Sequence, residues 1–168
     1  MNSLVSIFIV RFIVLVLVQI LILNHVNFLG YINPYLYILF ILLYPIKNNR
    51  ILFIFLSFLL GLTIDLFSDS GGVHAAACVM IAYVRPVFLK FSFGMIYEHQ
   101  AVKFSQVDFG AKLMYMSMLI AIHHLVLFSL EIFSFSKTIL ILQKTIFTSL
   151  FTIILCVLVT IIFSKNSK

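Results

Sequence analysis

Asp65 is the residue whose surroundings most invite a chemical reading. It follows Ser57 and Gly61 and precedes Asp69 at intervals of four, a spacing that stacks side chains on one face of a helix. Two acids four apart can chelate a metal or pass protons when further ligands and a wet cavity join them, and His74 is the nearby candidate. Structural hydrogen bonding in the turn that follows is the preferred reading, because a buried polar group must first find a partner. His123 and His124 are adjacent, so on a helix they point about 100° apart and cannot face one ligand together. His124 and Glu131 are seven apart and share a face, where each can fasten to another helix or to the other through water. Arg11 can snorkel to headgroups from the first apolar run, and Arg85 precedes Pro86, which can kink or end a helix and leave a contact for a partner. Cys78 and Cys156 stand alone in apolar runs and read as packing residues. No nucleophile elbow, zinc-protease, phosphate-loop or dinucleotide signature occurs, so no enzyme activity, metal or cofactor is expected.

The elements that must position these residues follow from composition. Of 168 residues 64% are hydrophobic and 10% are charged, and mean hydropathy is +1.23; soluble domains carry about a quarter charged residues. A chain this apolar belongs in a bilayer, where each spanning segment must satisfy its own backbone, and helices do so one at a time. Continuous runs such as Phe12 to Val18 lack the alternation of a membrane β-barrel. The predicted fold is therefore all-α: a polytopic membrane helix bundle with about six transmembrane helices in one domain. The net charge of +6 comes from eleven Lys and Arg scattered between apolar runs, which speaks for topology and against a nucleic-acid partner.

At about 20 apolar residues per crossing, spans are predicted near residues 4–23, 31–46, 51–67, 73–92, 113–133 and 138–163. The first run lacks a small-residue cleavage site and is expected to be retained as helix one. The second is the weakest. Asn33 and Pro34 make a helix-start pair, yet the run after them is short and needs the residues from Val26 onward or a thinned bilayer. Cytoplasmic loops collect Lys and Arg. Six spans with both termini cytoplasmic place Arg11, Lys47, Arg50, Arg85, Lys90, Lys103, Lys112, Lys165 and Lys168 inside, nine of eleven, and only Lys137 and Lys144 outside. A five-span alternative, without segment two, splits Arg11 from Lys47 and Arg50. Residues 93–112 form the widest connection, readable as an interfacial helix with Ile96, Val102, Phe104, Val107 and Phe109 at the headgroups or as a solvated loop. Between segments three and four, Ser57 and Gly61 meet a second set of small residues, Gly72, Ala75, Ala76, Ala77, Cys78 and Ala82. Such pairs of small faces let membrane helices approach closely.

The stretch Gly61-Leu62-Thr63-Ile64-Asp65-Leu66-Phe67-Ser68, with Gly72-Val73-His74 and Ala82-Tyr83 after it, resembles the MreD family of rod shape-determining proteins, which reads roughly G-L-x-x-D-L, a glycine turn and a small-rich helix. Gln19 inside helix one and Pro34 opening helix two are similar as well, and Arg85-Pro86, His123-His124 and Glu131 look like Bacteroidetes versions. The resemblance spans most of the chain. It implies a non-enzymatic scaffold subunit of the cell-wall elongation complex, multi-pass in the bacterial cytoplasmic membrane, required for rod shape and lateral peptidoglycan synthesis. The implied partners are MreC directly, with MreB, RodA and a class B penicillin-binding transpeptidase in the same complex and membrane lipids around it. It also implies a fold similar to the substrate-binding subunits of ECF vitamin transporters, and that function is the alternative. Those subunits carry alanines three or four apart in helix one, whereas residues 3–23 here contain neither Ala nor Gly.

Overall fold

The computed structural model describes residues 2–26, 32–46, 49–94 and 107–165. Among these there are six α-helices: α1 (Asn2–Leu21), α2 (Ile38–Leu42), α3 (Arg50–Ser68), α4 (Val73–Phe93), α5 (Phe109–Ile132) and α6 (Thr138–Lys165). Five are long and apolar enough to cross a membrane. The architecture is an all-α bundle, and the chain is a multi-pass membrane protein.

Local chemistry sets the helix ends. Asn49 accepts from the Ile51 and Leu52 amides at 2.9 and 3.5 Å and starts α3. Asp108 accepts from Gly110 and Ala111 at 2.8 and 3.2 Å and starts α5, so that helix begins four residues before its predicted span and absorbs Lys112 into its first turn. These caps occupy amides that a helix start leaves without partners. α3 stops where Asp69 turns left-handed at φ 50°, and Gly71 and Gly72 continue the turn at φ 68° and 97°. The interfacial helix considered for residues 93–112 falls largely on 95–106, outside the described residues; α4 runs through Phe93, and Gly94 closes it with its N–H on the Lys90 carbonyl.

The second predicted span is corrected. Residues 32–46 do not form a membrane-length helix: Ile32 to Tyr35 carry no helix, α2 is five residues long, and Pro34 opens no helix. The segment nevertheless runs from one end of the bundle to the other. Pro34 lies beside Gln19 near the end of α1, while Tyr44 stacks on Phe53 at the start of α3 and lies 5.6 Å from the ring of Phe8. Asn24, just past α1, bonds Ser68 at the end of α3 at 3.1 Å, so α1 and α3 run in the same direction and the chain between them must return. Geometry explains how fifteen residues manage it. A helix of that length covers about 22 Å, short of a hydrocarbon core of about 30 Å, whereas extended residues advance about 3.3 Å each.

Residues 36–42 are buried in full, so the returning segment is the axis around which the long helices pack. At the far end of the chain, Val157, Thr160 and Ile161 of α6 share a groove with Phe109, Lys112 and Met116 of α5. Tyr115 of that region bonds Leu42 at 3.0 Å. The start of α1 and the end of α6 therefore lie at the same end of the bundle.

Candidate functional site

A non-helical backbone inside a bilayer protein must find hydrogen-bond partners from side chains, and the buried polar residues of this chain are arranged around that need. Gln19 is fully buried on α1; its Oε1 accepts from the Leu36 amide at 2.8 Å and its Nε2 donates to the Pro34 carbonyl at 3.2 Å and to Asn24 at 3.0 Å. A carboxamide carries one acceptor and two donors, and here it pairs with the extended stretch much as a neighbouring strand would. Between those two contacts the Tyr35 amide donates to Thr152 Oγ1 of α6 at 3.1 Å. Thr152 lies 3.3 Å from His124 Nε2, and His124 Nδ1 lies 2.7 Å from the Ile120 carbonyl. A carbonyl can only accept, so Nδ1 carries the hydrogen and, in the neutral ring, Nε2 accepts. The chain of donors then runs one way, from Tyr35 N–H through the Thr152 hydroxyl and His124 to Ile120.

The other end of the segment is held by Arg85 of α4. Its Nε donates to the Tyr115 hydroxyl at 2.8 Å, and Nη2 donates to the carbonyls of Leu42, at 3.2 Å, and Tyr44. These are the free carbonyls past a short helix, and a cation is the favoured partner there. The guanidinium also lies 5.0 Å from the ring centre of Phe53, within cation–π range.

Midway, the Tyr37 hydroxyl sits 2.7 Å from His74 Nδ1 and 3.1 Å from His123 Nε2, joining α4 and α5 to the returning segment. The two adjacent histidines diverge as their positions on a helix require: His123 turns to Tyr37 and Cys78, His124 to Thr152. Glu131 does not meet His124. It forms an ion pair with Lys144 of α6 at 3.1 Å on the exposed rim.

Asp65 acts across the α3–α4 turn. Its two carboxylate oxygens accept from the amides of His74 at 3.0 Å and Ala75 at 2.8 Å, and Ser70 donates to it at 2.6 Å. Gly72, the residue before α4, has no side chain to cap the helix. Asp65 supplies the cap from the preceding helix, and its negative charge meets the positive end of the α4 dipole. Gly61, one turn earlier, faces the same backbone: a β-carbon there would lie 2.5 Å from Ala75 Cα and from the His74 carbonyl oxygen. Ser57, a turn further along that face, is buried with its hydroxyl on the Phe53 carbonyl at 2.8 Å. Ala82 is buried on α4. His74 thus gives its amide to Asp65 and its ring to Tyr37. Among the described residues no three His, Cys, Asp or Glu side chains gather as a metal site.

Gln19, Pro34, His74, Arg85 and His124 are brought together around one segment; Asp65 serves the α3–α4 turn beside it, and Glu131 stands apart. Sequence reasoning missed Tyr35, Tyr37, Tyr115 and Thr152. A signal for the last was present: Thr145, Thr148, Ser149 and Thr152 are all buried at helical spacing in an otherwise apolar run, which marks a face turned to protein. No protein-family model matches the chain, and neither curated proteins nor solved structures match it.

Proposed function

We propose that the chain is a non-enzymatic scaffold subunit of the bacterial cell-wall elongation complex, of the kind that the MreD family provides for rod shape and lateral peptidoglycan synthesis. In this reading it sits in the cytoplasmic membrane with both termini cytoplasmic, holds MreC directly, and works alongside MreB, RodA and a class B penicillin-binding transpeptidase. The observation that carries the reading is the use made of the buried polar groups. Gln19, Arg85, Asp65 and His124 are bonded to main-chain groups of the protein itself, an arrangement suited to a stiff body that presents lipid-depth faces to other helices. The Gly61-to-Asp65 stretch that carries the resemblance is the close contact and cap between α3 and α4, so the motif reads as a device for rigidity. Apolar side chains of α1 and α6 remain outward, among them Ile13, Leu17, Ile146 and Leu150, and helices in lipid associate through packing of such faces.

The test is affinity purification of the tagged protein from its native membrane in mild detergent. Recovery of MreC and the wall synthases is the expected result. Recovery of an ATPase pair with an integral coupling subunit would overturn it in favour of a substrate-binding subunit of a vitamin transporter.

A further inference from the structure

Arg85 is 3% exposed, and its Nε and Nη2 are engaged with the Tyr115 hydroxyl and the Leu42 and Tyr44 carbonyls. All three are neutral acceptors. Nη1 makes no hydrogen bond among the described residues, and Arg85 lines a cleft of ≈ 100 Å³ between the starts of α3 and the latter half of α4. A second guanidinium, that of Arg50, lines the same cleft, and Pro45, Phe53, Ala82 and Pro86 complete most of its wall. Among the described residues no carboxylate lines it. The described acids lie elsewhere: Asp65 and Asp69 at the opposite end of α3, Asp108 on the first amides of α5, Glu131 on Lys144. Among the described residues two cations thus share one cleft without an anion, and for Arg85, the buried one of the two, the lack of a counter-charge is costly.

The cleft lies at the end of the bundle that holds the start of α1 and the end of α6, and Lys90 and Lys112 lie toward that end as well. Arg50 is the first residue of α3; its guanidinium lies 5.3 Å from the ring centre of Tyr83 and donates to the Tyr83 carbonyl at 3.3 Å. As the first residue of a helix of membrane length, Arg50 stands at the level of the headgroups. A guanidinium matches the oxygens of a phosphate two at a time, and basic pockets between membrane helices at this level hold phosphate headgroups.

We propose that this cleft is a phosphate-binding site, with Arg50 and Arg85 as its ligands, and that the phosphate is that of an anionic membrane lipid. The site does not depend on the scaffold reading. Arg50 tests it better than Arg85, because Arg85 also holds the returning backbone.

The experiment uses the purified full chain in detergent, with phosphatidylglycerol, phosphatidylcholine and inorganic phosphate added separately and followed by thermal melting and native mass spectrometry. Phosphatidylglycerol should raise the melting midpoint and remain bound at one per chain, with phosphatidylcholine protecting less. Arg50→Gln should raise the half-saturating concentration of phosphatidylglycerol about tenfold, the loss of one charge-assisted contact, and its melting without lipid serves as the control for folding. Lys144→Gln, at the opposite end, should leave lipid binding in place. Protection by inorganic phosphate equal to that by the lipid would overturn the lipid source and assign the site to the free anion. Undiminished lipid binding by a folded Arg50→Gln would overturn the site itself.

Discussion

Residues 32–46 and the α3–α4 hairpin lie side by side in the bundle and are held by opposite means. In the hairpin each helix satisfies its own backbone, so two elements suffice: Gly61 permits backbone contact with His74 and Ala75, and one carboxylate caps α4. In residues 32–46 only α2 has a helical ladder, with turn bonds at its two ends, and groups before it and at its end also reach side chains on α1, α4, α5 and α6. In a bilayer protein, then, small residues mark where helices touch, while buried amides, hydroxyls and guanidinium mark where the chain is not helical. The first device is local to one hairpin. The second ties the whole bundle to one strand of chain.

Breaking the hairpin should have the largest effect. Gly61→Leu would drive a side chain into backbone atoms of α4 that cannot rotate aside, and overpacking costs about 1–3 kcal/mol even where neighbours are flexible side chains. Loss of the monodisperse peak in detergent chromatography and low accumulation are expected; wild-type accumulation would show that α3 and α4 do not touch as described. Gln19→Leu should come next. It leaves the Leu36 amide and the Pro34 carbonyl buried without their partner, at about 1–3 kcal/mol each, and should lower the melting midpoint without the misassembly expected of Gly61→Leu. An unchanged midpoint would mean that the returning segment finds its partners elsewhere. Asp65→Asn should have the smallest effect of the three, because the amide keeps one acceptor for the two α4 amides, at a loss of about 1–3 kcal/mol. Asp65→Leu keeps none and should melt lower. If Asn proved as damaging as Leu while protein levels stayed normal, a role for the charge beyond capping would follow.

Gly61 and Asp65 were legible because both act within one hairpin, where the four-residue spacing and the glycine turn are visible in sequence. His123 and His124 were legible in part: their divergence follows from helix geometry, but nothing in sequence pairs them with Tyr37 or Thr152. Spacing puts His124 and Glu131 on one face and leaves open whether each bonds to another helix or to the other; both bond to α6, His124 to Thr152 and Glu131 to Lys144.

What the sequence determined by itself is the all-α membrane class and five of the crossings. Apolar runs of bilayer length have one way to satisfy their backbone, and that constraint is local to each run. Only the tertiary structure decided the path of residues 32–46. Their partners lie 15, 43 and 117 residues away in Gln19, Arg85 and Thr152, and hydrogen bonds across such separations leave no periodicity to read. A stretch too short for a helical crossing can still cross when distant side chains replace the hydrogen bonds that a helix would have made for itself.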